Sequence, residues 1–294
     1  MNNIIYFFGR LLIKMSNMDI INNIAKKLRE ENKRGANYIL SKALSGLEKS
    51  IIKYEGNNLE QFIKDSCILL FKTQPTMSIL ANIMAIMIER VENISRKIER
   101  QDIIKNKVCG IIRQIKARNI STIEKISKNS DKILDANKTI LTYSCSSTIL
   151  KALEYQNDLG KEKIIYITES RPINEGTSCA EDISEFFETN LYVDAAIGGI
   201  LKNHSIDIII IGADSFTKNY IINKLGTLNL AIMAKHFHVP LYVLTSSLKY
   251  YSGDRFNIPI KIEKKPANEI TPVKKKNLFV NNLYFDKTPI KRVS

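Results

Sequence analysis

Two hydrophobic rhythms divide the chain. From Asp19 onward, apolar residues recur every three to four positions. They run Ile20, Ile21, Ile24, Ala25, Leu28, then Ile39, Leu40, Ala43, Leu47, Ile51, Ile52, then Leu59, Phe62, Ile63, Cys67, Leu70. That spacing predicts three amphipathic helices, the first capped by Asp19, the second bounded by Gly35 and Gly56. The Pro75-Thr76 pair opens a fourth, almost continuously apolar from Ile79 to Ile88. Such a helix must be buried on most of its surface. A long helical stretch over about 99–130 leads out of this bundle.

After residue 138 the rhythm changes. Short β-rich runs at 139–143, 163–168, 191–194, 207–212 and 241–245 alternate with helical segments near 148–159, 178–189, 196–204 and 227–238. Runs such as IDIIIIG and PLYVLT lack polar alternation, as strands buried on both faces do. The prediction is an α/β protein, a helical N-terminal domain over 19–132 followed by a Rossmann-like parallel-sheet domain over 133–294. Residues 1–18 read as an N-terminal extension. Its apolar run 4–13 is broken by Arg10 and too short to span a bilayer. It lacks the basic start and small-residue cleavage site of a secretory signal, so a cytoplasmic location without membrane attachment is expected.

Right-handed crossovers bring the C-terminal ends of parallel strands to one edge, where ligands bind. The polar clusters of the second half follow strands: Ser144-Cys145-Ser146-Ser147-Thr148, Glu169-Ser170-Arg171-Pro172, Asp194, Asp214-Ser215, and Ser246 to Tyr250 with Lys249. Asn223-Lys224-Leu225-Gly226-Thr227 is read as opening a helix. That rim suits a phosphorylated ligand: hydroxyls and helix-start N–H groups for phosphate oxygens, Arg171 as a fork, Lys224 as a point charge. Plain helix capping would use the same hydroxyls. Asp214, at the end of a buried strand, suits a general acid or base, or the cap of a turn. Cys145, near a helix start, is either a stabilised thiolate or a small buried hydrophobe. His204, His236 and His238 lie off the rim.

Composition narrows the chemistry. With 44 % hydrophobic and 25 % charged residues the chain is globular, neither fibrous nor disordered. Four widely spaced cysteines without a CxxC pair, and three histidines, argue against a disulfide framework or a metal site. No GxGxxG, P-loop, HExxH or GxSxG occurs, so no cofactor is expected. Net charge is +14, of which +6 lies in 261–294. Such a surface favours a phosphorylated ligand, an acidic partner or nucleic acid. Direct RNA contact by the tail rests on charge alone, since no basic motif interleaved with aromatics is present.

Several segments together are familiar: IIYITESRP (164–172), LYVDAAIGGI (191–200), IGADSFTKNYIINKLGT (211–227) and VPLYVLTSSLKY (239–250). With Arg34-Gly35-Ala36-Asn37, Gln74-Pro75-Thr76 and NLYFDKTP (282–289), the chain resembles the alpha, beta and delta subunits of translation initiation factor 2B over about 19–290. That superfamily also contains ribose-1,5-bisphosphate isomerase and methylthioribose-1-phosphate isomerase. The resemblance implies Asp214 and Cys145 as catalytic groups if the chain is an isomerase. It places Arg34, Gly35, Ser146, Arg171, Asn223, Lys224 and Lys249 around a sugar phosphate. In an ungapped register, however, Ser144 takes the isomerases' cysteine position and Tyr143 their histidine position. A Ser hydroxyl is a far weaker acid than a thiol of pKa about 8.5. A pocket kept with its acid lost implies a regulatory subunit. It would be homo- or hetero-oligomeric, bind initiation factor 2 or related subunits, and take a sugar phosphate or nucleotide. The alternative is an aldose–ketose isomerase converting ribose 1,5-bisphosphate to ribulose 1,5-bisphosphate.

Overall fold

A computed structural model describes residues 18–251 and 260–293. The extension read over 1–18 lies, but for Met18, outside the described residues. Five helices come first: α1 over 18–30, α2 (Ala36–Lys53), α3 (Leu59–Phe71), α4 (Ser78–Ser95) and α5 (Gln101–Leu134). Their apolar stripes close on one core that includes Ile39, Leu47, Ile63, Met84 and Ile112, all fully buried. The near-continuous apolar run of α4 has the predicted fate, burying Ile79, Leu80, Ile83, Met84 and Met87. The helix α5, 34 residues and so about 50 Å long, joins this core through Ile104, Val108 and Ile112. Its last residue, Leu134, enters a second core beneath the sheet. One helix thus serves both halves.

Eight strands follow: β1 (Thr139–Thr142), β2 (Ile164–Thr168), β3 (Glu188–Tyr192), β4 (Ile208–Ile211), β5 (Ser215–Phe216), β6 (Tyr220–Lys224), β7 (Leu241–Val243) and β8 (Phe285–Pro289). Helices α6 (Ser147–Asp158), α7 (Glu175–Ser184), α8 (Ile197–Asn203) and α9 (Thr227–His236) lie between them. Five strands form a parallel sheet in the order β3-β2-β1-β4-β7. The four isoleucines of β4 show why its sequence does not alternate. Ile208 and Ile210 pack into the core on one face, Ile209 and Ile211 into the core on the other. The fold is therefore α/β, a helical N-terminal part followed by a parallel sheet covered on both faces.

The sequence does not announce the second sheet, antiparallel, in the order β5-β6-β8. Asn223 and Lys224 end β6 rather than opening a helix, which starts at Thr227 after Gly226 in a left-handed conformation at φ 105°. The partner of β6 is β8, with Asn223 opposite Asp286, too far along the chain for local pattern to reveal. β3 also begins earlier than its pattern suggests, taking Glu188 and Thr189 from the predicted end of α7.

Lys163, just before β2, is 5 % exposed and anchors the end of α5. Its Nζ donates to the carbonyls of Leu134 at 2.5 Å and Asn137 at 2.8 Å. Lys163→Met leaves those acceptors unpaired in a buried place. The expected loss is about 1–3 kcal/mol of unfolding free energy in a denaturant titration.

Candidate functional site

Strands β1 and β4 are sheet neighbours, yet β1 connects onward to β2 on its other side. The loops leaving their C-terminal ends therefore diverge and open a crevice. It is a cleft of about 750 Å³, counted out to its open mouth. Tyr143 to Ser147 enter it after β1, Gly212 to Asp214 after β4, and Arg34 to Asn37 from the start of α2. Of the residues singled out in the sequence, Arg34, Gly35, Cys145, Ser146, Asp214, Asn223, Lys224 and Lys249 line this one cleft. Arg171 does not line it. Its side chain is exposed, and its backbone N–H donates to Asp194 Oδ2 at 2.7 Å. Asp194 likewise is a loop tie, accepting from the Ser170 N–H at 2.9 Å.

One side of the cleft is made of two helix starts. Helices α2 and α6 both start there, at Gly35 and Ser146, and neither start has a side-chain cap. Their first N–H groups and dipoles are therefore available to a ligand. The two starts nearly touch: a Cβ on Gly35 would lie 3.7 Å from the Cys145 carbonyl oxygen. Asn37 Nδ2 donates to Ser147 Oγ at 3.0 Å and ties them together. Exposed Arg34 stands at the mouth. Gly212 lets the end of β4 pass beneath, since a Cβ there would fall 2.6 Å from Ser146 Oγ.

The other side carries buried charge. Lys224 and Glu175 pair at 2.7 Å with side chains 4 % and 8 % exposed. Glu175 also accepts a hydrogen bond from Ser144 Oγ at 2.9 Å. Burial raises the Glu175 carboxyl above its ordinary range, and the nearby Lys224 charge only partly offsets this. Glu175 escapes the sequence reading because 175 falls in a stretch taken as loop. The available signal was a carboxylate three residues beyond the rim proline. Asp214 is half-buried, and its side chain accepts no hydrogen bond from any described residue. Burial raises its carboxyl too, against the charges of Lys249 and Lys224. Lys249, 5 % exposed, donates from Nζ to the Ala213 carbonyl at 2.6 Å, and burial lowers its ammonium.

Tyr143 is a strut rather than a reacting group. Its hydroxyl donates to the Leu225 carbonyl at 2.6 Å. It passes so close to Gly226 that a Cβ there would lie 2.2 Å from the phenol oxygen. Cys145 lines the cleft and also packs on the core beneath the sheet. The neighbouring buried Cys179 draws the Cys145 thiol below the usual range, against the opposing effect of burial. Among the described residues no group of three or more His, Cys, Asp or Glu side chains is arranged to hold a metal ion. No helix there is long and apolar enough to cross a membrane.

The buried pair makes two stability predictions. Lys224→Met leaves Glu175 uncompensated and is expected to cost about 3–5 kcal/mol in a urea titration. Folding raises the Glu175 carboxyl, so the folded chain holds that proton more tightly than the unfolded one. The contribution is full below the unfolded value of 4.5 and is lost as pH rises through the raised folded value. Glu175→Gln should therefore make unfolding free energy fall less steeply with pH just above 4.5 than in the wild type.

Known proteins share this architecture. The chain is 28 % identical over 293 residues to a ribose 1,5-bisphosphate isomerase of Methanocaldococcus jannaschii, covering 96 % of this chain and 91 % of that one. It is 26 % identical over 273 residues to a putative translation initiation factor eIF-2B subunit 2-like protein of Pyrococcus horikoshii, covering 92 % and 91 %. A solved eIF-2B structure from Pyrococcus horikoshii superposes with a TM-score of 0.77 at 24 % identity, over 94 % of this chain and 93 % of that one. The relatives thus include both isomerases and initiation-factor subunits. The model of the initiation factor 2 subunit family matches residues 32–294, and the chain belongs to that family.

Proposed function

We propose that the chain is a sugar-phosphate isomerase, converting ribose 1,5-bisphosphate or a close aldose phosphate to the ketose. The observation that carries this reading is the pairing of two unlike proton carriers in one cleft. Asp214, whose carboxyl burial raises, follows β4, and the thiol Cys145 follows the neighbouring β1, so that both line the same cleft. The isomerases among the relatives support it.

The chemistry needs no cofactor. The Cys145 thiolate takes the proton from C2 while the bond from C1 to the ring oxygen breaks. Asp214 gives its proton to that oxygen. The resulting enol phosphate then takes the proton back at C1 from Cys145, and its C2 hydroxyl yields its own proton to the Asp214 carboxylate. Both groups end as they began, and a proton has moved from C2 to C1. Arg34, Gly35, Ser146 and the starts of α2 and α6 hold a phosphate. Asn223, Lys224 and Lys249 face the sugar. The exposed Arg171 is left out of this set.

A second reading is favoured by one specific observation. In the ungapped register that the family resemblance implies, Ser144 stands where the isomerases have their cysteine, and its hydroxyl is committed to Glu175 at 2.9 Å. In that case the chain is a regulatory subunit that binds the sugar phosphate, oligomerises with related subunits and engages initiation factor 2. Relatives named as initiation-factor subunits, and a tetrameric eIF2B beta2-delta2 complex from Chaetomium thermophilum among the structural neighbours, support it.

Turnover of ribose 1,5-bisphosphate separates the two. If the isomerase reading holds, the wild type converts it, and Asp214→Asn and Cys145→Ser each lower kcat by about 10²–10⁴-fold. A wild type that binds the compound without converting it sinks the enzyme and leaves the regulatory subunit.

A further inference from the structure

Helix α4 grips the turn after β7 with directed hydrogen bonds. Asn82 Nδ2 donates to the carbonyls of Leu248 and Tyr250, at 2.8 Å each. Ser78, one turn earlier on the same face of α4, donates from Oγ to the carbonyl of Lys249 at 2.5 Å. Two side chains of one helix therefore hold three consecutive carbonyls, 248, 249 and 250. The grip is locked from behind. The Ser78 N–H donates to Ser215 Oγ at 2.8 Å, and that hydroxyl donates to the Thr76 carbonyl at 2.6 Å. Ser78, Ser215 and Lys249 are all buried.

The three held residues send their side chains different ways. Leu248 packs on the helical core, and the Tyr250 ring lies 5.4 Å from that of Phe216. Only Lys249, the middle one, enters the cleft, where its Nζ rests on the carbonyl of Ala213, the residue before Asp214. Simple adhesion between the two halves is already provided by Leu248. Fixing three successive carbonyls does something more: it sets the direction in which the next side chain leaves the backbone.

We propose that Ser78 and Asn82 are positioning residues through which the helical part aims Lys249 and so sets the positive charge that faces Asp214. The catalytic consequence rests on the isomerase reading above; the aiming of Lys249 does not. The charged groups facing Asp214 are Lys249, from the short turn after β7, and Lys224 from β6. Loss of the Lys249 charge at its post would leave the Asp214 carboxyl holding its proton to higher pH.

The test uses the full-length chain with Ser78→Ala, Asn82→Ala and the near-isosteric Asn82→Asp. Each is exposed under native conditions to an amine-acylating reagent, and labelling is read by peptide mass spectrometry. Buried Lys163, at the far end of the sheet's own helix contacts, is the internal control. The expected result is a rise of about ten-fold in Lys249 labelling, as loss of one ordinary hydrogen bond permits, with Lys163 unchanged. In turnover of ribose 1,5-bisphosphate, the alkaline fall in kcat should move to higher pH. Unchanged Lys249 labelling overturns the proposal. So does a parallel rise at Lys163, which would mean general loosening. A wild type without turnover removes the isomerase reading alone, because the labelling result still decides whether Lys249 is aimed from α4.

Discussion

The cleft exists because two neighbouring parallel strands, β1 and β4, send their chains in opposite directions. A strand buried on both faces must hand its chain to a helix, and helices on opposite faces pull their loops apart. The space left between those loops lacks backbone of its own. Its walls must come from elsewhere, from the start of α2, the end of β6 and the turn after β7. Each wall element brings a polar group to a largely buried place. Both buried ammonium groups here have partners. Lys224 is set against Glu175, and Lys249 against a backbone carbonyl. Unmatched, any of them would be costly to bury.

The relatives include both isomerases and initiation-factor subunits, and the layout keeps two kinds of polar group apart. The groups that would hold a phosphate are mostly backbone N–H groups at helix starts, together with glycines that let them approach. They depend on the fold more than on any side chain. Cys145, by contrast, offers a side chain beside a sharp turn, where Ser144 sits at a φ of 66°. There a shift of one residue exchanges a hydroxyl bonded to Glu175 for a thiol packed beside Cys179.

Local pattern carries the five helices and five parallel strands because their signal is intrinsic. A face repeated every 3.6 residues, or a run of four isoleucines, needs no knowledge of the partner. Cys145, Ser146, Asp214 and Lys249 are reachable from local pattern because the ends of parallel strands share an edge, whereas Arg34 and Gly35 come only from the family resemblance. What local pattern could not show were pairings across distance. The β6–β8 ladder joins residues about sixty apart, and Asn223 and Lys224 were assigned to a helix because their true neighbour, β8, lies far along the chain. Glu175 stands as a carboxylate three residues beyond the rim proline, but its meaning comes from Lys224, 49 residues away. Arg171 shows the converse: a residue in the right loop whose side chain faces outward.

The segment carrying β8 supplies more than a ladder. Asp286 accepts from the N–H groups of Gly226 at 2.8 Å and Leu228 at 3.2 Å, capping α9. Tyr284 closes one wall, its ring 5.1 Å from the Lys224 ammonium and its hydroxyl bonded to Glu269 at 2.5 Å. A chain emerging from the ribosome has its entire parallel sheet once Val243 is out, yet at that moment β6 has an open edge and the crevice lacks a side. During synthesis the scaffold therefore precedes the receptacle, and a ligand gains its full set of contacts only after some forty more residues have been added.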